Sequence, residues 1–286
     1  MQVRDLLVVL DGSSNSGSVL AVAVDLAQRH DAHLTGFCPL ENLVVRDPRF
    51  AMGVYPGIFE IPSMLEEIRA RATNVAAEVE ENFREQLRRG GINGDWQLAT
   101  GLATEALVRS ARCKDLLILP QANPEAKEAR ASRVLIEDAL MGSGRPLLLV
   151  PYAGKFEMVG RNVLVGWDGS REAARAVHDM LPMIETSAKI TLLTVERARG
   201  ASDADEVPGA QIAEHLARHE LTVNAARTVR ESRVTDADAL LGYACDIGAD
   251  LIVIGGYGHS RTREIFLGGV TRALLAQMIA PVLMSR

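Results

Sequence analysis

The chain has 286 residues, 48% hydrophobic and 24% charged, with aromatics at 4% and a net charge of −6 at pH 7. This is an ordinary globular composition with an aliphatic core, and its length suits one large domain or two of about 140 residues. The negative charge argues against a general nucleic-acid binder, and no apolar stretch approaches the roughly 20 residues of a membrane span. The N-terminal run reaches Asp11 too soon for a signal peptide. Three widely spaced cysteines, Cys38, Cys113 and Cys245, fit a reducing cytoplasm and small core positions better than a disulfide framework.

In chain order, Leu6 to Leu10 is a short apolar run closed by Asp11-Gly12-Ser13-Ser14, the pattern of a buried parallel strand running into a turn. Ser13 to His30 has helical spacing of Val19, Leu20, Ala23, Val24 and Ala27, with Ser and Asn at its start as caps. Ala32 to Cys38 reads as a second strand. Glu41 to Pro62 breaks the rhythm with Pro48, Pro56 and Pro62 yet carries Phe50, Met52, Tyr55 and Phe59. A loop so long and apolar suits either a flap packed on its own domain or an interface segment. Ser63 to Arg89 predicts a long helix with a solvated, charged face and a capping box from Ser63 to Glu66. Asp95 to Thr100 (strand), Thr104 to Arg112 (helix), Leu116 to Leu119 (strand), Glu125 to Met141 (helix) and Leu147 to Val150 (strand) complete the half, and Tyr152 to Gly160 reads as a linker.

The pattern then restarts. Asn162 to Trp167 is a strand followed by Asp168-Gly169-Ser170, and Arg171 to Met183 a helix. Lys189 to Val195 is a strand, Gly200 to Pro208 an acidic loop, Ala210 to Arg218 a helix and Thr222 to Arg230 a strand. Asp236 to Ile247 is a helix, Leu251 to Ile254 a strand and Val282 to Met284 the closing strand. The halves correspond: Asp11-Gly12-Ser13 with Asp168-Gly169-Ser170, Asp115 to Leu119 with Asp250 to Ile254, and Arg145-Pro146-Leu147 with Ala280-Pro281-Val282. For the last two pairs, 250 − 115 and 281 − 146 both give 135; the first, 168 − 11, gives 157, and the excess is the Glu41 to Pro62 excursion. The β-α alternation predicts an α/β fold of two tandem, doubly wound, parallel five-stranded sheets, in domains 1–151 and 161–286, with ligands at the carboxyl ends of the strands.

Gly255 to Thr271 carries the chemistry. Gly255, Gly256 and Gly258 follow a strand, Gly268 and Gly269 precede the helical run Val270 to Ile279, and His259, Arg261 and Arg263 lie between. Glycines admit close approach of backbone N–H groups to phosphate oxygens, and a helix N-terminus adds a favourable dipole. No P-loop signature is present. A dinucleotide fingerprint fails because Arg261 stands in place of its third glycine and the stretch follows the fourth strand of its unit.

Gly255, Gly258 and Gly268 instead fit Gly-x2-Gly-x9-Gly. With the strand-Asp-Gly-Ser opening at Asp168, nearly the whole chain resembles the universal stress protein family as two tandem domains. The resemblance implies a cytoplasmic, oligomeric protein, most simply a homodimer, that binds ATP (or ADP or AMP) with Mg²⁺ in its C-terminal domain. The nucleotide would act as a regulatory or structural ligand in a stress response, with at most slow hydrolysis. It places Gly255, Gly258, Gly268, Gly269 and Val270 as backbone donors to the phosphates, Thr271 as a hydroxyl donor, Asp168 by the adenosine, and Thr194 and Val195 along the adenine. His259, Arg261, Arg263 and Arg272 would attract phosphate charge, unless they form only a solvated basic turn. One departure stands out: the family's Ser/Thr position is Gly269 here, which removes one hydroxyl worth about 0.5–1.5 kcal/mol.

The first half has Pro120-Gln121-Ala122-Asn123 where the second has Gly255-Gly256-Tyr257-Gly258. Proline removes a donor, so this half is expected to lack a triphosphate site and to serve packing and dimerisation. The rival reading is a nucleotide-independent interaction protein of the same fold, in which Gly269 marks a decaying site. His215 and His219, spaced i, i+4, fit a solvated helix face better than a metal site, because no third ligand lies nearby in sequence, and His30 and His33 do likewise. No catalytic Ser-His-Asp or paired-carboxylate set is evident, and Glu264 alone does not make a hydrolase.

Overall fold

The computed structural model describes residues 2–47, 61–126, 129–197, 209–231, 233–256 and 269–286. Contacts divide the chain into two compact units, Val3–Arg145 and Pro146–Arg286, the latter with Gln2.

In the first unit the strands are β1 (Asp5–Val9), β2 (His33–Pro39), β3 (Gly94–Ala99) and β4 (Leu116–Pro120), in the order β3-β2-β1-β4, all parallel. The helices are α1 (Ser16–His30), α2 (Leu40–Arg46), α3 (Ile61–Gly90), α4 (Ala103–Ala111) and α5 (Ala129–Gly142). Leu6–Leu10 and Leu116–Leu119 are almost wholly buried, as strands covered on both faces must be. α1 lays Val19, Leu20, Val22, Ala23, Leu26 and Ala27 against them.

Four local expectations change. Asn15 holds the N-cap position of α1 in helical conformation and makes no side-chain cap hydrogen bond. α3 begins at Ile61, so Ser63 lies inside its first turn; Pro62 tolerates that position because first-turn N–H groups need no helical partner. The excursion after β2 opens with α2, whose Leu43 packs with Cys38, Ala72 and Ala76. Pro48, Phe50, Met52, Tyr55, Pro56 and Phe59 lie outside the described residues. The charged face of α3 is laced by Arg84–Glu80 and Arg89–Glu85 pairs, both at 2.7 Å. Of the cysteines, Cys38 is buried, but Cys113 and Cys245 are exposed, against the expectation of core positions.

The second unit contains β5 (Leu147–Val150), β6 (Asn162–Gly166), β7 (Lys189–Arg197), β8 (Thr222–Arg230), β9 (Leu251–Gly255) and β10 (Val282–Ser285). Their order is β5-β10-β9-β6-β7-β8. β6 to β10 pair in parallel, while β5 pairs antiparallel with β10 through Leu149↔Val282, Leu148↔Leu283 and Leu147↔Met284. Its helices are α6 (Arg171–Met180, continued by a 3₁₀ turn to Met183), α7 (Ala210–Ala217), α8 (Asp236–Asp246) and α9 (Gly269–Ala276). Thr235 caps α8 in a capping box with Asp238.

The internal repeat shows in the hydrogen bonding as well. Asp115, just before β4, accepts from the backbone N–H groups of Arg4 (2.8 Å) and Asp5 (3.0 Å) at the start of β1. Asp250, its counterpart before β9, accepts from Gly160 (2.8 Å), Arg161 and Asn162 (3.1 Å each) at the start of β6. Each aspartate pins the beginning of the neighbouring central strand.

Candidate nucleotide site

The site is built at the carboxyl ends of three adjacent parallel strands, β9, β6 and β7. Gly166 ends β6 opposite Leu193, and the Trp167 N–H still donates to the Leu193 carbonyl at 2.9 Å. Thr194 and Val195 therefore continue beside Trp167 and Asp168. β7 runs on to Arg197, two residues beyond its expected end, because β8 stays in register with it as far as Arg197↔Arg230. The hydroxyl Oγ1 of Thr194 is buried and has no hydrogen-bond partner among the described residues.

After β6 the chain turns through Asp168-Gly169-Ser170. The Asp168 Oδ1 accepts from the Ser170 N–H (2.9 Å) and hydroxyl (2.6 Å), Gly169 sits at φ +74°, and the Ser170 Oγ accepts from the Ala173 N–H (3.1 Å) as the N-cap of α6. The aspartate thus shapes the turn, and its side chain is exposed.

Gly255 closes β9 in register with Ser285 of β10, and the Gly256 N–H donates to the Ser285 carbonyl at 2.8 Å. A Cβ on Gly255 would lie 2.5 Å from the Ala173 nitrogen and 2.6 Å from the Glu172 carbonyl carbon. The first turn of α6 is therefore seated against the end of β9, and glycine at 255 is required by packing whatever binds above it. Glu172, at that contact, is only 4% exposed. Burial pushes its carboxyl upward, but hydrogen bonds from the Arg171 guanidinium (2.5 Å) and from its own backbone N–H, with the Arg171 charge, hold it below the usual range; the Asp168 charge opposes them. Sequence reading passed over Glu172, whose only signal was a carboxylate in the first turn of a helix.

Thr271 lies in the first turn of α9 and is buried. Gly269 and Val270 form the first two residues of that helix. Gly258, His259, Arg261, Arg263, Glu264 and Gly268 lie outside the described residues. The structure thus brings together Asp168, Thr194, Val195 and Gly255.

The first unit repeats the turn without the rest. Leu10 N–H donates to the Phe37 carbonyl at 2.9 Å, as Trp167 does to Leu193, and Gly12 (φ +68°) matches Gly169. Asp11 is buried, its Oδ1 accepting from the Ser13 N–H at 3.0 Å and the Ser16 hydroxyl at 3.3 Å. Yet α1 begins five residues after Asp11, whereas α6 begins three after Asp168. In place of Gly255 stands Pro120, the buried last residue of β4.

Among the described residues, no group of three or more His, Cys, Asp or Glu side chains is placed to hold a metal ion. None of the helices there is long and apolar enough to cross a membrane.

Residues 160–286 match the model of the universal stress protein family. A search of curated protein sequences gives no significant match. Among solved structures, the chain is similar to a universal stress protein from Archaeoglobus fulgidus at 17% identity and TM-score 0.71, covering 99% of this chain and 96% of that one. It is similar also to a functionally unknown protein from Pseudomonas aeruginosa PAO1 at 12% identity and TM-score 0.58, covering 99% and 92%. Residues 160–286, with the Asp168 turn and the glycine-closed β9, thus match the universal stress protein family, and the chain carries the α/β fold of solved universal stress proteins from end to end.

Proposed function

We propose that the second unit binds one adenine nucleotide, ATP or its di- or monophosphate, as a regulatory or structural ligand. The observation that carries this reading is the convergence at one sheet end of the Asp168 turn, the buried Thr194 hydroxyl, partnerless among the described residues, and the glycine-closed β9 leading to α9. A buried hydroxyl without a partner is costly, and a ligand polar atom arriving at the strand ends would satisfy it. The Gly-x2-Gly-x9-Gly spacing from Gly255 to Gly268 supplies the phosphate side of the argument. Mg²⁺ would arrive on the phosphates and keep much of its water, as this ion usually does, so it needs no protein cage.

Thr194→Val tests the adenine side. The substitution removes a hydroxyl that has no partner among the described residues, so the free protein should keep its stability. Nucleotide affinity should fall about two- to tenfold, the worth of one neutral hydrogen bond. Unchanged affinity in Thr194→Val would place the base elsewhere. A mass spectrum of the ligand released from purified protein identifies which nucleotide is carried.

A further inference from the structure

His215 and His219, two sites on one helix in sequence, meet a third imidazole in the fold. His178 on α6 stands edge-on to His215 with ring centroids 5.2 Å apart, and His215 stands edge-on to His219 at 4.9 Å. His178 and His219 are exposed, while His215 is half-buried between them with its Nε2 buried and without a partner among the described residues. We propose that this stack is a proton-sensing latch: the stacked rings hold α7 against α6, and acidification releases α7.

The charged surroundings set the direction. On α7 and just beyond it, Arg218 is paired with Glu214, and on α6 Arg175 is paired with Asp179 at 2.9 Å. On β8, which also packs against α7, Arg227 is paired with Glu196 and Arg230 with Asp236. These four carboxylates are thus engaged by arginines, while Glu220, which follows His219, is exposed. Protonating His215 would place a charge in a half-buried position beside His178, His219 and Arg218. Burial first, then the His178, His219 and Arg218 charges, lower the affinity of His215 for a proton relative to its ordinary 6.5. A histidine lowered in the packed state keeps its full contribution above the unpacked value. As pH falls below that value, the released state takes up the proton first, and packing weakens.

The latch adjoins the candidate site without depending on what binds there. Gly209, at the N-cap of α7, has no room for a Cβ: it would lie 2.5 Å from Leu192 Cδ2 and 3.4 Å from Trp167 Cδ1, one residue from Asp168. Movement of α7 would therefore be felt at the Asp168 turn.

Hydrogen exchange of the full-length protein, with EDTA present and corrected for intrinsic rates, tests the latch. Between about pH 7.5 and 5.5, the window of an ordinary histidine, protection of peptides spanning Ala210–Leu216 should fall several-fold more than that of β9. In His215→Phe the fall should vanish, and in His178→Gln, an exposed change, it should shrink. A flat profile in the native protein, or equal slopes in the native protein and both variants, would overturn the latch.

Discussion

Gly255 and Gly258 fall in one motif but answer to different physical demands. At Gly255 the space a side chain would fill is occupied by the backbone of Glu172 and Ala173, which cannot swing away. Gly255→Ala is expected to destabilise the protein by about 1–3 kcal/mol, the range of overpacking in a well-packed core, as read from urea unfolding. An unchanged midpoint would mean that α6 is not seated on β9. Glu172 is the second residue to test. Its carboxyl lies below the usual 4.5, so its contribution is present above that value and is lost as pH falls through the lowered one. Glu172→Gln should flatten the acid limb of stability below about pH 4.5 relative to the native protein; parallel limbs would show that the Arg171–Glu172 pair is not coupled to folding.

At the scale of elements, β5 is the informative strand. It is entirely buried and lies on β10, so it completes the second sheet although it precedes that unit's first β-α turn. A fragment of residues 161–286 exposes the β10 edge, whereas 146–286 keeps it covered. The longer fragment should unfold at higher urea than the shorter; equal midpoints would show that β5 adds nothing to that sheet. Most elements were legible because buried parallel strands are continuous apolar runs, as at Leu6–Leu10 and Leu251–Ile254. Those that escaped depended on tertiary partners. α2 is a short helix held by Leu43 against Ala72 and Ala76, and nothing local announces it. The exposure of Cys113 and Cys245 is likewise a matter of which helix end they reach. His178 joins His215 only through the packing of α6 on α7, so no spacing rule could have found the third ring.

At the scale of the whole molecule, the chain holds two copies of one fold with unequal endings. The 135-residue offset seen in the sequence is the offset at which Asp115 and Asp250 perform the same strand-pinning task. The unequal endings were visible too: Pro120 against Gly255 is a difference of residue type that falls at the last residue of β4 and of β9. The candidate site was legible where it rests on turn chemistry, at Asp168 and Ser170, and less so at Thr194, whose hydroxyl, without a partner among the described residues, appears only once β6, β7 and β8 are aligned. The central claim is that one half of the molecule binds a nucleotide and the other does not. Isothermal titration of the full chain with ATP and Mg²⁺ tests it most directly. The account predicts one site per chain, abolished in Gly258→Val without loss of fold and untouched in Asn123→Val; it is contradicted by two sites per chain, by native affinity in Gly258→Val, or by no heat at millimolar ATP.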